Sequence, residues 1–186
     1  MMYSNSNLKG KRHALIAANR YFGDRGISEE MRELNNVRVL EPSEAKKVTN
    51  WQHSAILFPY GDGYWRARFL PDSQGQLPQH QNRTTGKVTV QKAAAPKGEP
   101  PRLYFPIPPG CERDWVERAK QRVDIPIVLV EGDADALKVA QDLAAIGLER
   151  LVIGICGCWG WRSDGKPIPD LDEVVWSGRE VRINLD

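Results

Sequence analysis

The stretch Ile125-Pro126-Ile127-Val128-Leu129-Val130-Glu131-Gly132-Asp133 decides the fold of this chain. Its apolar run predicts a strand that is buried on both faces, and the following residues, 133–146, have the apolar spacing of a helix. A second apolar run, Leu151–Ile155, comes next. Strand, helix and strand with short connections predict a βαβ unit with a parallel sheet, to which residues 180–185 add a third strand.

Acidic residues stand where two of these strands end. Glu131 ends the first strand, Asp186 ends the third, and Asp133 and Asp135 lie in the first turn of the helix. The ends of parallel strands meet at one edge of a sheet, where open α/β folds bind ligands. Because Mg²⁺ (or Mn²⁺) takes one or two carboxylates together with substrate phosphates, we expect these four acids to form a metal site. Alternatively, the two helix acids only favour the positive end of the helix dipole.

Charge divides the chain into two parts. Residues 1–110 contain 16 Lys and Arg against 9 Asp and Glu, whereas residues 111–186 contain 10 against 15. The proline-rich stretch 106–110 predicts the boundary, because it cannot continue a helix or strand. We therefore expect a disordered N-terminus (1–12), a basic α+β lobe (13–110) and an acidic α/β domain (111–186). A basic lobe suits a polyanion, and ordinary surface charge is the alternative.

The basic lobe is predicted to contain short helices and a β-hairpin. Ser28 is a helix N-cap residue and Pro42 opens another helix. The remaining predicted elements are a helix at 13–23, hairpin strands at 55–59 and 64–70, a loop at 73–86, and edge strands at 88–92 and 102–106.

Basic side chains follow the second hairpin strand. Arg66 and Arg68 point to the same side, because strand side chains alternate. Together with Lys87, Lys92 and Lys97 they predict a groove for a nucleic-acid backbone, since guanidinium groups suit phosphates. The alternative is a solvated strand face above an apolar one.

A segment rich in Trp and Gly, residues 156–178, precedes the third strand. Trp159, Trp161 and Trp176 either form a lid that stacks on a nucleobase or pack the segment onto the sheet. In either case, we expect the neighbouring Arg162 and Arg179 to reach a nucleotide phosphate.

Other features exclude several classes of protein. The three cysteines form no C-x-x-C pair and the three histidines lie far apart, so neither a disulfide framework nor a zinc site is predicted. No apolar run approaches the roughly 20 residues of a membrane span, and the N-terminus lacks the apolar centre of a signal peptide. We therefore expect a cytoplasmic protein without a membrane partner.

The order of these motifs resembles the Toprim fold of bacterial-type primases, topoisomerases and related nucleases, in which a glutamate ends the first strand and Asp-x-Asp ends the third. More narrowly, the chain from about Ala14 onward resembles the plasmid and phage replication proteins of the domain of unknown function numbered 3854. The matching motifs are Arg25-Gly26-Ile27-Ser28, Phe58-Pro59-Tyr60, Arg66-x-Arg68 with Pro71-Asp72, Leu103-Tyr104-Phe105-Pro106, Glu131-Gly132, Gly154-Ile155-Cys156-Gly157-Cys158-Trp159-Gly160-Trp161 and Trp176-Ser177-Gly178-Arg179.

The resemblance implies a parallel, Rossmann-like Toprim sheet behind a smaller template-contacting lobe. Glu131 would be the catalytic general acid/base or metal-linked glutamate, and Asp186 the first aspartate of the metal pair. The second aspartate of that pair would stand two residues past Asp186, so we expect either a C-terminally truncated chain or a degenerate domain. Ala93 also stands where the family pattern places an aromatic residue.

The leading hypothesis is therefore a DNA-replication domain that binds nucleotides or single-stranded DNA through a magnesium-carboxylate site. It performs primase-like nucleotidyl transfer only in the complete protein, where a helicase is the expected partner, and this chain alone is expected to be inactive. The alternative is a non-catalytic DNA-binding or recruitment module, and a third interpretation is a doubly wound domain for a small metabolite.

Overall fold

The computed structural model describes the backbone of residues 5–185 and the side chains of residues 10–185. The helices are α1 (Asn5–Gly23), α2 (Glu29–Leu34), α3 (Pro42–Thr49), α4 (Trp115–Gln121) and α5 (Asp133–Ala145), with a 3₁₀ helix at Pro169–Glu173. The strands are β1 (Arg38–Leu40), β2 (Ala55–Gly61), β3 (Tyr64–Phe69), β4 (Gln79–Gln81), β5 (Val88–Val90), β6 (Ala93–Ala94), β7 (Ile127–Glu131), β8 (Leu151–Ile155), β9 (Arg162–Ser163), β10 (Lys166–Pro167) and β11 (Val181–Asn184).

The chain forms two compact units that are not contiguous in sequence. Unit 1 consists of the chain up to Asp24 together with Asn36–Lys97, and unit 2 consists of Arg25–Asn35 together with the chain from Gly98 onward. The predicted boundary at residue 110 differs from this division. Residues near it belong to unit 2, because the amide of Asn35 accepts from the backbone N–H of Ile107 at 2.7 Å and donates to its carbonyl at 3.1 Å.

Unit 1 is built on an antiparallel sheet with the strand order β1-β2-β3-β6. The predicted hairpin forms β2 and β3, with the turn Gly61-Asp62-Gly63 between them. Ala67 and Phe69 of β3 face a core that also contains Leu57 and the α3 residue Ala45. A reciprocal capping box between Glu41 and Glu44 begins α3, and Asn50 ends it in the left-handed conformation.

Unit 2 contains the predicted parallel sheet, with the strand order β11-β7-β8. Its buried core includes Ile127, Leu151 and Ile153 from the sheet and Trp115 from α4. Ser28 caps α2 as predicted, since its hydroxyl accepts from the N–H of Met31 at 3.1 Å. The chain is thus a mixed α/β protein with a parallel three-stranded sheet.

Gly154 is where β8 packs most closely against the β7–α5 connection. A Cβ atom there would lie 2.7 Å from the carbonyl oxygen of Gly132 and 3.0 Å from Cβ of Ala136. Tyr104 forms an antiparallel bridge with Gly154 on the outer side of β8. In place of the edge strand predicted at 102–106, the structure contains only this single bridge.

Several local predictions were wrong. Residues 5–12, expected to be disordered, belong to α1, and the predicted loop contains β4, which pairs with β5. Ile183 of β11, the third predicted strand, is 67% exposed because that side of β11 is not covered by described residues. Among the described residues, none of the helices combines the length and the apolar character needed to cross a membrane.

Candidate functional site

Glu131 lies at the carboxyl end of the central strand of the parallel sheet. It is half-buried and stands opposite Ile155 in the register of β7 with β8. The N–H of Gly132 donates to the carbonyl of Ile155 at 2.7 Å, which fixes the point where the chain leaves the sheet. Gly132 has a φ of 98°, a conformation that favours glycine, and it turns the chain directly into α5. The strand end therefore holds Glu131 in a defined position.

A cleft of about 160 Å³ opens beside this strand end. Glu131 and Asp135 both line it, together with the helix cation Lys138 and with Asn184 of β11. A Cβ on Gly132 would lie 3.5 Å from Oδ2 of Asp135, so the first turn of α5 folds closely over the turn before it. The structure thus brings together two of the four predicted metal ligands.

Neither of the other two predicted ligands is among the described residues that line the cleft. Asp133 is 9% exposed and does not line the cleft. Burial, followed by the negative charge of Asp133, raises the pKa of the Tyr104 phenol well above its ordinary value, so Asp133 lies near Tyr104 instead. Asp186 lies outside the described residues. Among residues 10–185 the structure contains no group of three or more His, Cys, Asp or Glu side chains arranged to hold a metal.

Lys138 and Asn184 are residues of the cleft that the sequence prediction missed. Lys138 follows Asp135 by three positions, so the two share one face of α5, and this spacing was the available signal. The ammonium of Lys138 also pairs with the carboxylate of Asp142 one turn further on. Asn184 stands opposite Val130 in the parallel register, which local sequence patterns do not reveal. The cleft therefore combines two carboxylates, an amide and one cation.

The connection that leaves β8 passes next to Glu131. A Cβ on Gly157 would lie 3.9 Å from Oε1 of Glu131, and a Cβ on Gly160 would lie 2.5 Å from the carbonyl oxygen of Cys156. Trp159, in this tight turn, is 63% exposed. The close folding of this turn thus requires glycine at position 160, and the φ of 73° at Gly157 also favours glycine.

The three tryptophans of the segment divide between the two predicted roles. Trp176 is half-buried, packs against the core of unit 2 and donates its indole N–H to the carbonyl of Leu171 at 2.7 Å. Trp161, by contrast, is 38% exposed, and the guanidinium of Arg162 lies 4.4 Å from the ring centre of Trp159 and 5.5 Å from that of Trp161. The predicted role of packing the segment onto the sheet therefore fits Trp176 and does not fit Trp159 or Trp161.

Arg179, predicted as a phosphate ligand, is a structural residue. It is 9% exposed, and its guanidinium donates to the carbonyls of Ile125, Lys120 and Val175. Burial lowers its pKa from the ordinary arginine value, although the charge of Asp124 acts in the opposite direction. A guanidinium used by three backbone carbonyls is not available to a phosphate in this conformation.

Arg66 and Arg68 of unit 1 lie on the same face of β3, as the alternation of strand side chains predicts. Arg66 and Arg68 stand opposite Phe58 and Ile56 in the hairpin register and are half-buried, on the sheet face that these two apolar residues also occupy. They are therefore not on a fully solvated face. The three predicted lysines are all exposed: Lys87, Lys92 and Lys97.

In comparisons with known proteins, no family model, no curated protein and no solved structure matches this chain.

Proposed function

We propose that unit 2 is a Toprim-like domain that binds the phosphates of a nucleotide or of a nucleic-acid end through a divalent cation. The observation that supports this proposal is that Glu131 and Asp135 line one cleft at the carboxyl end of a parallel sheet. Ligands of open α/β folds bind at this position. Asp186, two residues past Asn184, remains a proposed third ligand.

The donor set suits magnesium or manganese better than softer metals. Both carboxylates offer hard oxygen ligands, and Mg²⁺ is commonly bound by one or two carboxylates plus waters and substrate phosphates. When bound, the cation would polarise a phosphoryl oxygen and neutralise the charge of the phosphates. Lys138 also lines the cleft, and its ammonium, which pairs with Asp142, would attract the phosphate.

For this chain we propose binding and positioning of phosphates. Glu131, which is half-buried at the strand end, would orient the cation and its bound water. In a replication protein, the same arrangement would serve primase-like nucleotidyl transfer.

Manganese titration tests the site without requiring activity. We expect Glu131→Gln to weaken Mn²⁺ binding at least about tenfold, because it removes one of two charged ligands of the cleft. Asp172→Asn is the matched control, since Asp172 is an exposed acid of unit 2 outside the cleft. Free Mn²⁺ is measured by electron paramagnetic resonance. If Glu131→Gln binds Mn²⁺ as tightly as the control, the cleft is not the metal site.

A second candidate function, a non-catalytic nucleic-acid-binding module, has its own support in unit 1. Residues 73–98 contain no Asp or Glu but four basic side chains. Residues 79–90 of this segment form β4, β5 and their connection, and every one of them is solvent-exposed. We call these residues the exposed ribbon. An extended surface with cations and no acids suits a phosphate backbone.

Salt-dependent binding distinguishes the two functions. We expect the double substitution of Lys87 and Lys92 by Gln to weaken binding of a single-stranded oligonucleotide and to reduce the salt slope by about 1.4, if each lysine neutralises one phosphate. The double substitution of Lys46 and Lys47 by Gln is the control, since both are exposed in the same unit. Equal loss in both variants would indicate attraction by net charge alone. Metal-independent binding retained in Glu131→Gln would favour the second function.

A further inference from the structure

The side chains of Trp159 and Trp161 are exposed and do not belong to the hydrophobic core of unit 2. Tryptophan is highly buried on average in proteins, and Trp176 in the same segment follows this rule. Trp159 is nevertheless 63% exposed, while the turn that carries it is firmly held. The N–H of Gly160 donates to the carbonyl of Gly157 at 2.9 Å, and the N–H of Arg162 donates to that of Trp159 at 3.3 Å.

The segment is also anchored beyond the turn. The N–H of Ile168 donates to the carbonyl of Trp161 at 3.0 Å, and Ile168 is 1% exposed in the core of unit 2. The short strands β9 and β10 pair between these two points. The tryptophans are therefore presented to solvent from an ordered support.

Arg162 orders the aromatic surface. Its guanidinium lies above the ring of Trp159 at 4.4 Å and near that of Trp161 at 5.5 Å, within the range of a cation–π contact. Lys166 is the other cation of this small hairpin, and Asp164 in its turn is the nearby acid. A planar aromatic surface next to guanidinium and ammonium groups matches a base attached to phosphate.

The turn that carries this surface passes next to Glu131, one of the residues that line the cleft. Gly157 lies beside Oε1 of Glu131, and Trp159 follows Gly157 by two residues. Since consecutive Cα atoms are 3.8 Å apart, the Cα atoms of Gly157 and Trp159 are at most about 7.6 Å apart. Only a ribose separates the base of a nucleotide from its phosphates. One nucleotide is therefore of the right size to contact both places.

We propose that Trp159, ordered by Arg162, is the stacking surface for the base of the nucleotide whose phosphates occupy the Glu131 cleft. The inference rests on the proposed function for its phosphate end, while the stacking itself does not depend on the cation. Stacking on a ring face tolerates any base, so the surface selects a nucleotide or an unpaired strand end and not a particular sequence.

The test follows the six indole N–H signals of ¹⁵N-labelled protein by nuclear magnetic resonance. Trp159→Tyr and Trp161→Phe assign the two exposed signals. Adenosine supplies the base alone, inorganic phosphate supplies the phosphate alone, and adenosine monophosphate with and without Mg²⁺ supplies both. We expect adenosine to shift the Trp159 signal and not that of Trp51 in unit 1, whereas phosphate leaves the Trp159 signal unchanged.

Affinity measurements separate stacking from simple apolar contact. We expect Trp159→Leu to weaken binding of adenosine monophosphate roughly 5- to 150-fold, the range that base–aromatic stacking supplies, and Trp159→Tyr to retain most of the affinity. Ile146→Ala is the control for losing an exposed apolar side chain of unit 2, since Ile146 is 70% exposed. Both Trp159 variants should keep the circular dichroism spectrum of the parent, because the side chain is exposed.

The outcomes distinguish the stacking surface from the cleft. If Trp159→Leu binds adenosine monophosphate with parental affinity while Glu131→Gln does not, the stacking proposal is wrong and the cleft stands. If adenosine shifts the Trp159 signal while Mg²⁺ and Glu131→Gln leave binding unchanged, the cleft is wrong and the stacking surface stands. If neither adenosine nor its monophosphate shifts the Trp159 signal, the proposal is refuted and the exposed tryptophans would instead suit a protein partner.

Discussion

Replacing Arg179 by Ala should destabilise unit 2 substantially. The Ile125 carbonyl accepts from Nε at 2.8 Å and from Nη2 at 2.5 Å, and Nη1 donates to the carbonyls of Lys120 at 3.1 Å and Val175 at 3.2 Å. These three acceptors come from α4, from the residues before β7 and from the segment before β11. The guanidinium therefore joins three parts of the unit.

The size of the effect follows from which carbonyls lose their partner. The Lys120 carbonyl also accepts from the N–H of Val175 at 3.0 Å and keeps that bond. The carbonyls of Ile125 and Val175 lose the guanidinium, and leaving one buried acceptor unsatisfied costs about 1–3 kcal/mol. Because Ile125 is 2% exposed and Val175 only half-buried, we expect a total loss of about 3 kcal/mol.

The assay is urea unfolding followed by far-ultraviolet circular dichroism. A loss of about 3 kcal/mol would lower the midpoint by about 1–3 M at typical slopes for small proteins. Arg182→Ala is the matched control, because the Arg182 side chain is 70% exposed and pairs at the surface with Glu180. We expect that control to change stability by less than about 1 kcal/mol. Arg179→Lys should fall between the two, since one ammonium cannot reach all three carbonyls.

Equal stability of the Arg179 and Arg182 variants would refute this reasoning. If Arg179→Ala loses phosphate binding but no stability, Arg179 is instead the phosphate ligand that the sequence predicts. Loss of stability with unchanged phosphate affinity in the remaining folded protein would confirm the structural role.

Two further predictions concern the packing around the site. Gly154→Ala should destabilise the protein by about 1–3 kcal/mol and weaken Mn²⁺ binding, because the added Cβ would lie 2.7 Å from the Gly132 carbonyl oxygen. Gly23→Ala is the control, since a Cβ on Gly23 would meet no atom within 4 Å. In the same urea titration, we expect this control to be neutral or slightly stabilising. Tyr104→Phe should reduce the loss of stability at alkaline pH. The Tyr104 pKa is raised in the folded protein, so its contribution is complete below the unfolded value of about 10 and is lost as the pH rises toward the folded value. Unfolding of both proteins at pH 9 and pH 11 measures the difference, and an equal loss in the variant would contradict the assignment.

The parallel sheet was predictable because its signal is local. Apart from Glu131 at the end of β7, the runs that form β7 and β8 are apolar, as expected for strands of a covered parallel sheet, and a helix separates them. The Ser28 cap and the β2–β3 hairpin also depend on neighbouring residues only. The position of Glu131 at a strand end follows from these elements.

Residues whose roles depend on distant contacts were not predictable in this way. The burial of Arg179 requires three carbonyls from separate segments, and the sequence shows only an arginine among glycines and acids. Asp133 and Asp135 look equivalent in the first turn of α5, yet only Asp135 lines the cleft, because residues two apart in a helix point to different sides. The strand predicted at 88–92 contains β5, but its partner β4 was missed because its three residues include no buried side chain to produce a pattern.

The assignment of α2 to unit 2 has a consequence for synthesis of the chain. The chain passes from one unit to the other at residues 24/25, 35/36 and 97/98, so the first part of unit 2 to be synthesised is a six-residue helix. Roughly 150 further residues must be added before the third strand of its sheet exists, which takes about 10–30 s at ordinary rates of translation. During that time unit 1 can complete itself, whereas unit 2 cannot. The order of folding on the ribosome is therefore set by the order of the segments in the chain: unit 1 folds first, and the carboxylate cleft forms only after β11 has been synthesised.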